Sequence, residues 1–219
     1  MTIISIKTGA DEDLRRIELS DGSLFSFKIN YLPPVFLNDG LYTPGEPDVA
    51  EGREINADEE EGFRFASACL RAEKVALQLI TRAEQTVFGL SHKLEKRGHD
   101  SACVRAVVAR LCELGLVDDR RYARLWLESR LDRQASRSSS PRRLFAALRA
   151  RGIDRRDTEA ALKETLDAEA ELRLLERYAR KMRRKHGDDD DSAAARRALR
   201  YTLKSEGFSS SAIQIFFEE

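Results

Sequence analysis

The chain's densest chemistry is cationic. Arg142 and Arg143 open one segment of helical apolar periodicity, and Arg149 and Arg151 close it. Lys93, Lys96 and Arg97 occupy the corresponding stretch earlier in the chain, and Arg196, Arg197, Arg200 and Lys204 the corresponding stretch later. Guanidinium and ammonium groups recognise phosphates and carboxylates through charge-assisted hydrogen bonds, holding an anionic partner without reacting with it. Any single Lys or Arg can merely solvate a helix face; only the row taken together points to an anionic partner.

Patterns that would support covalent chemistry are missing from the sequence. There is no GxxxxGK[ST], GxSxG or HExxH, and no glycine-rich nucleotide loop after a strand. His186 and Gly187 precede four aspartates at 188–191. That group could take a divalent cation, but the favoured reading is an acidic entry to a helix starting near Ser192, where negative charge suits the helix N-terminus. Cys69, Cys103 and Cys112 form no CxxC and have no neighbouring His pair; they read as reduced cysteines packed in helices. No catalytic residue, metal site or cofactor is expected.

The elements that must position the cations are set by an internal repeat. Three times a helical apolar pattern stops at a glycine, takes one further residue and restarts at Asp or Ser: Gly98-His99-Asp100, Gly152-Ile153-Asp154 and Gly207-Phe208-Ser209. Each glycine follows leucines at the same offsets, Leu90 and Leu94, Leu144 and Leu148, Leu199 and Leu203. A glycine just past a helix end adopts the left-handed conformation, the next apolar residue packs back, and Asp or Ser caps the following helix. Gly115-Leu116-Val117-Asp118 makes a further joint, and Ser140-Pro141 is a start signal with Pro at the first helical position. Apolar spacing at Cys69, Ala72, Ala76, Leu79 and Ile80, at Tyr122, Leu125, Trp126 and Leu131, and at Leu172, Leu175, Tyr178 and Met182 supplies the first helix of each triplet. Tyr122 and Trp126 read as core rather than as stacking platforms, and Ile213, Ile215, Phe216 and Phe217 are expected to pack inward.

The first third differs. Ile4 and Ile6, Ile17 and Leu19, and Phe25, Phe27 and Ile29 alternate with polar residues, and Asp21-Gly22 signals a two-residue hairpin turn. Residues 38–62 are rich in Gly, Pro and acid and read as a loop or linker, with Leu41, Tyr42 and Ile55 able to tack it down. Residues 1–68 hold six Lys/Arg against fourteen Asp/Glu, whereas the remainder is basic by the same margin, so the net charge of zero conceals a division. No apolar run is long enough to span a bilayer, the N-terminus has no signal-peptide pattern, and a cytoplasmic protein is expected. The expected fold class is mainly α: three tandem three-helix repeats at 63–115, 116–166 and 167–219 in an elongated curved array. A β-containing extension and acidic linker, 1–62, precedes them.

Residues 118–130 (DDRRYARLWLESR) and 138–154 (SSSPRRLFAALRARGID) resemble the middle module of the RecX regulatory proteins, and VFGLSHKLEKRGHDSACVRAVVARLCELG resembles their first module. The likeness covers nearly all of 63–219. Ser140 stands where the family usually has Gly, and Gly89-Leu90 where it favours Glu-Leu. The resemblance implies three tandem three-helix modules that regulate the RecA recombinase. It implies binding along the groove of the RecA filament on single-stranded DNA and inhibition of strand exchange, ATP hydrolysis and co-protease activity. Under it Arg142, Arg143, Arg149 and Arg151 contact RecA or DNA, helped by Arg120, Arg124, Lys93, Lys96 and Arg97. DNA contact would be weak and salt-dependent, with a monomer and no membrane partner. The alternatives are a sequence-specific helix-turn-helix DNA-binding protein and an adaptor that binds a basic partner through its acidic N-terminal part.

Overall fold

The computed structural model describes residues 1–9, 11, 13–32, 51–132, 139–186 and 192–218. The described elements are β1 (Ile3–Thr8), β2 (Leu14–Leu19), β3 (Leu24–Lys28), a 3-10 turn at Ile29–Tyr31, α1 (Ala57–Arg82), α2 (Val87–Glu95) and α3 (Ser101–Glu113). They continue with α4 (Asp119–Asp132), α5 (Pro141–Arg149), α6 (Arg155–Thr165), α7 (Ala168–His186), α8 (Ala193–Ser205) and α9 (Ser210–Glu218). Helices therefore recur in three triplets after a small antiparallel sheet, the expected fold class. The chain divides into two compact units, one of Met1–Gln85 with Leu90–Val117 and one of Thr86–Gly89 with Asp118–Glu219.

In the first unit the sheet has the order β1-β2-β3. Ile3, Ile6, Ile17, Leu19 and Phe27 are buried on one face, and the Phe27 and Phe63 rings stack at 5.3 Å to join the sheet to α1. The expected alternation of Ile4 with Ile6 is corrected here: Ile3 is buried and Ile4 is 54% exposed. A register shift between Ile3 and Ser5 inserts Ile4 as an extra residue and moves it off the core face. The β2–β3 hairpin forms at Asp21-Gly22, but with a longer loop than two residues. The Gly22 amide donates to the Leu19 carbonyl, the Leu19 amide donates to Ser23, and Gly22 takes φ of +84° as a bulge.

The first helix starts at Ala57, ahead of the Phe63 read from composition. Asn56 accepts from the Glu59 amide while Glu59 accepts from the Asn56 amide, and this reciprocal capping box turns an acid-rich stretch into a helix N-terminus. Ile55 is buried, as expected. The remainder of the Gly/Pro-rich stretch, with Leu41 and Tyr42, and the aspartates at 188–191 lie outside the described residues. Cys69, Cys103 and Cys112 are free thiols; Cys69 and Cys103 are buried, and burial pushes the Cys69 thiol well above its ordinary pKa.

In the second unit two triplets share one core. Ala123, Leu127, Leu144, Leu148, Ile153 and Ala161 pack with Leu174, Leu175, Tyr178, Leu203, Phe208 and Ala212, and Tyr122 and Trp126 lie partly buried against them. Leu125 is 40% exposed and Ile215 43%, contrary to expectation. Ala123 and Leu127 take the inward face of α4 instead, and on α9 it is Ala212 and Ile213 that are buried.

All three glycine turns have the same geometry. Gly98, Gly152 and Gly207 sit at φ +83°, +83° and +88°. The amide after each glycine bonds back to the last leucine of its helix, Leu94, Leu148 or Leu203. Asp100, Asp154 and Ser209 then accept from the Cys103, Asp157 and Ala212 amides at 3.3, 2.7 and 3.2 Å. Each cap of this kind typically stabilises by about 1 kcal/mol. Among the described residues no helix is long and apolar enough to cross a membrane.

Candidate binding surface

The second helices of the later triplets, α5 (PRRLFAALR) and α8 (AAARRALRYTLKS), carry cations and no carboxylate at all. α5 is launched by Ser140, whose hydroxyl accepts from the Arg143 amide with Pro141 at the first helical position. Its buried stripe is Leu144 and Leu148; α8 buries Leu203. Away from these stripes stand Arg142, Arg149, Arg197 and Lys204, while Arg143 flanks Leu144 and Arg196 and Arg200 lie against the Phe217 ring; all seven are exposed.

A repeated joint brings these helices together. Ser140 Oγ donates to the Glu206 carboxylate, the Arg142 amide donates to the Glu206 carbonyl at 3.0 Å, and Arg142 backbone lies against Gly207. The same joint occurs one glycine spacing earlier. Thr86 Oγ1 donates to the Arg151 carbonyl at 3.0 Å, and Phe88 lies against Gly152. In both, a hydroxyl at the start of a second helix holds the residue before the next triplet's turn glycine, and the position two further on covers that glycine. The Val87 amide donates to Asp119 at 2.8 Å beside the earlier joint.

At the later joint Arg142 Nη1 lies 3.5 Å from the Ser205 carbonyl, so the start of α5 and the end of α8 form one cationic surface. Arg143 lies 3.7 Å from Glu206 and 5.9 Å from the Tyr178 ring centroid, which makes it part of the joint. Burial, with Glu206 adding, raises the Tyr178 phenol pKa against the opposing charge of Arg143. Arg149 donates to the Ile153 carbonyl at 2.6 Å, and Arg151 donates to the Ala147 carbonyl at 2.6 Å with its guanidinium 4.6 Å from the Trp126 centroid. Arg120 is paired with Glu164 and Arg124 with Glu128 at 3.7 Å, so carboxylates offset both charges. In the first unit Lys93 donates to Gln85 at 2.6 Å and Arg97 to the Lys93 carbonyl at 2.8 Å, with Lys96 exposed beside them.

Carried along the glycine spacing, Arg97 falls on Arg151, Arg142 on Arg197 and Arg149 on Lys204, whereas Lys93 and Lys96 fall on Ala147 and Ala150. The periodicity thus holds for part of the row. Sequence reasoning missed Glu206, the anchor of the later joint, and Tyr201, 78% exposed on α8 between Arg197 and Lys204. The signal was available for both: Glu206 immediately precedes a repeat glycine, and Tyr201 is an aromatic off the buried stripe of a helix without acid. Among the described residues no cluster of His, Cys, Asp or Glu could hold a metal ion.

Asp119 permits a test of the earlier joint by pH. Its burial raises the carboxyl pKa above the ordinary 3.8; the bond from the Val87 amide opposes this, and neighbouring Asp157, Asp118 and Asp154 add to it. A carboxyl raised in the folded state destabilises that state once ionised. The penalty is absent where both folded and unfolded forms are protonated, and it develops as pH rises through the raised value. Asn keeps the acceptor oxygen and lacks the charge, so D119N should raise the melting temperature at pH 7 by about 1–3 °C. Below pH 3.8 the two proteins should melt together. Thermal melts at the two pH values check both statements.

Fold and surface together define a helical repeat protein, two of whose second helices present cations and carry no carboxylate of their own. The family model for RecX, second three-helix domain, matches residues 118–162. The chain is 37% identical over 121 residues to the regulatory protein RecX of Treponema pallidum (strain Nichols), covering 55% of this chain and 72% of that one. It is 33% identical over 141 residues to that of Halorhodospira halophila, covering 64% of this chain and 81% of the relative. A crystal structure of a regulatory protein RecX matches the fold with a TM-score of 0.69 at 20% identity, over 100% of this chain and 99% of that one. RecX from Lactobacillus salivarius matches at 0.57 and 19%, over 70% of this chain and 96% of that one. The chain belongs to the RecX family of regulatory proteins.

Proposed function

We propose that the chain regulates the RecA recombinase by binding the RecA filament on single-stranded DNA. It acts as a cytoplasmic monomer that restrains the filament and so lowers ATP hydrolysis, strand exchange and co-protease activity. Family membership supports RecA as the partner. The single observation that supports contact with a nucleoprotein polymer is the row of cations on α5 and α8, helices without a carboxylate of their own, joined where Arg142 meets Ser205. Arg142 and Arg149 are the foremost contacts, while Arg143 and Arg151 contribute from the joint and from the ring of Trp126. Arg120, Arg124, Lys93, Lys96 and Arg97 add weaker charge. Separate weak contacts on one chain gain affinity through effective concentration, and contacts to phosphates weaken as salt rises.

The deciding experiment is ATP hydrolysis by RecA on single-stranded DNA with the purified chain added at substoichiometric amounts. Hydrolysis should fall, because one regulator on a filament restrains many subunits. Unchanged hydrolysis at equimolar protein and low salt would remove the proposal.

A further inference from the structure

Tyr201 stands out once the core and the joints are accounted for. It is 78% exposed, the highest value among the large apolar side chains described, and it makes no hydrogen bond, ion pair or ring contact among the described residues. The repeat does not need it, since Leu199 and Leu203 serve the core of α8. Arg197 lies one turn before it, Lys204 one turn after, and Arg200 beside it. The Arg200 guanidinium turns away from it, 4.5 Å from the centroid of Phe217, a ring packed against the core. Arg142 reaches the last turn of α8 at Ser205 and extends the same patch.

We propose that the α8 surface centred on Tyr201 is a stacking site for an unpaired nucleobase, with Arg197, Lys204 and Arg142 holding the phosphates on either side. An aromatic face among cations, on a helix that carries no carboxylate of its own, fits a single strand, whose bases expose the π-faces that a duplex hides in its stack. From Arg197 to Lys204 the helix rises about 10 Å, the length of roughly three stacked nucleotides at about 3.4 Å per step. An acidic peptide would satisfy the cations but has no need of the ring. This site deepens the filament reading by naming the part of the nucleoprotein it touches, and rests on that reading for its biological setting.

The test uses the full chain, a fluorescently labelled oligothymidylate and no RecA, with binding followed by anisotropy at several salt concentrations. Tyr201→Ala should weaken binding about tenfold, the loss of one stacked base, without changing the salt slope, because no phosphate contact is lost. Tyr201→Trp should bind at least as well as the unaltered chain. Arg197→Ala and Lys204→Ala should each lower the slope by about 0.7. Tyr201→Ala binding as tightly as the unaltered chain would overturn the proposal, as would no binding of the oligomer by the unaltered chain at low salt. RecA ATP hydrolysis measured on the same proteins separates the two readings. If Tyr201→Ala loses inhibition yet keeps oligomer affinity, the ring contacts protein and the stacking site is wrong while the filament reading stands. If the unaltered chain binds the oligomer through Tyr201 yet leaves hydrolysis unchanged, the stacking site stands and the filament reading falls.

Discussion

Gly152→Ala should destabilise the second unit by about 3 kcal/mol, whereas Gly98→Ala, at a turn of the same geometry, should cost about 1 kcal/mol. Both glycines have φ of +83°, so the backbone strain of placing Ala there is common to the two. The difference is what a methyl group would meet. At Gly98 nothing lies within 4 Å, while at Gly152 an ideal Cβ would fall 2.2 Å from Cβ and 2.6 Å from Cγ of Phe88. Phe88 cannot swing clear by rotating its ring, because its own Cβ is the nearest atom. The helix that carries it would have to shift, weakening the Thr86 to Arg151 bond. Phe88→Ala leaves that nearest Cβ in place and removes the ring atoms behind it, so it should recover part of the loss. A double-mutant cycle should give a coupling of about 1 kcal/mol or more between positions 88 and 152. Denaturant melts of the four proteins check this, and equal costs at Gly98 and Gly152 would show that the joint does not press on the glycine.

Reversing Arg142, Arg197 and Lys204 to Glu together should abolish inhibition of RecA at concentrations where the unaltered chain saturates. These three lie on the helices without a carboxylate of their own, and the spacing of the repeat relates Arg142 to Arg197. If these three side chains hold phosphates as proposed, the change should also lower the salt slope for a single-stranded oligomer by about 2. The choice of residues follows from the joint. Arg143→Glu would set a second carboxylate beside Glu206 and withdraw a cation from the Tyr178 ring, and would therefore disturb folding as well as binding. Arg142 contributes its amide to the joint, a bond that survives the change to Glu, and its guanidinium only grazes the Ser205 carbonyl. Far-ultraviolet circular dichroism should be unchanged in the triple variant. Full inhibition by it would move the contact surface elsewhere on the chain.

Much of this protein was legible without coordinates because it is local. A helix that stops at glycine and restarts at Asp or Ser is decided by bonds spanning three or five residues, such as Ile153 to Leu148 and Asp157 to Asp154. The three turns, the Ser140 and Ser192 caps and the place of the β2–β3 hairpin, though not the length of its loop, were accordingly set by composition and order alone. So was the cationic character of α5 and α8. What the tertiary structure decided lies where partners are distant in the chain or where the choice among faces is a packing matter. Ser140 and Glu206 are 66 residues apart, and Thr86 and Arg151 65 apart. Nothing near Arg120 or Arg143 announces that Glu164 and Glu206 will engage them, so a row of equivalent cations in the sequence becomes a graded one in the fold. Ile4, Leu125 and Ile215 satisfy the apolar periodicity yet face solvent. Periodicity reports which residues can share a face, while the extra residue in β1 and the room beside each helix decide which of them are covered.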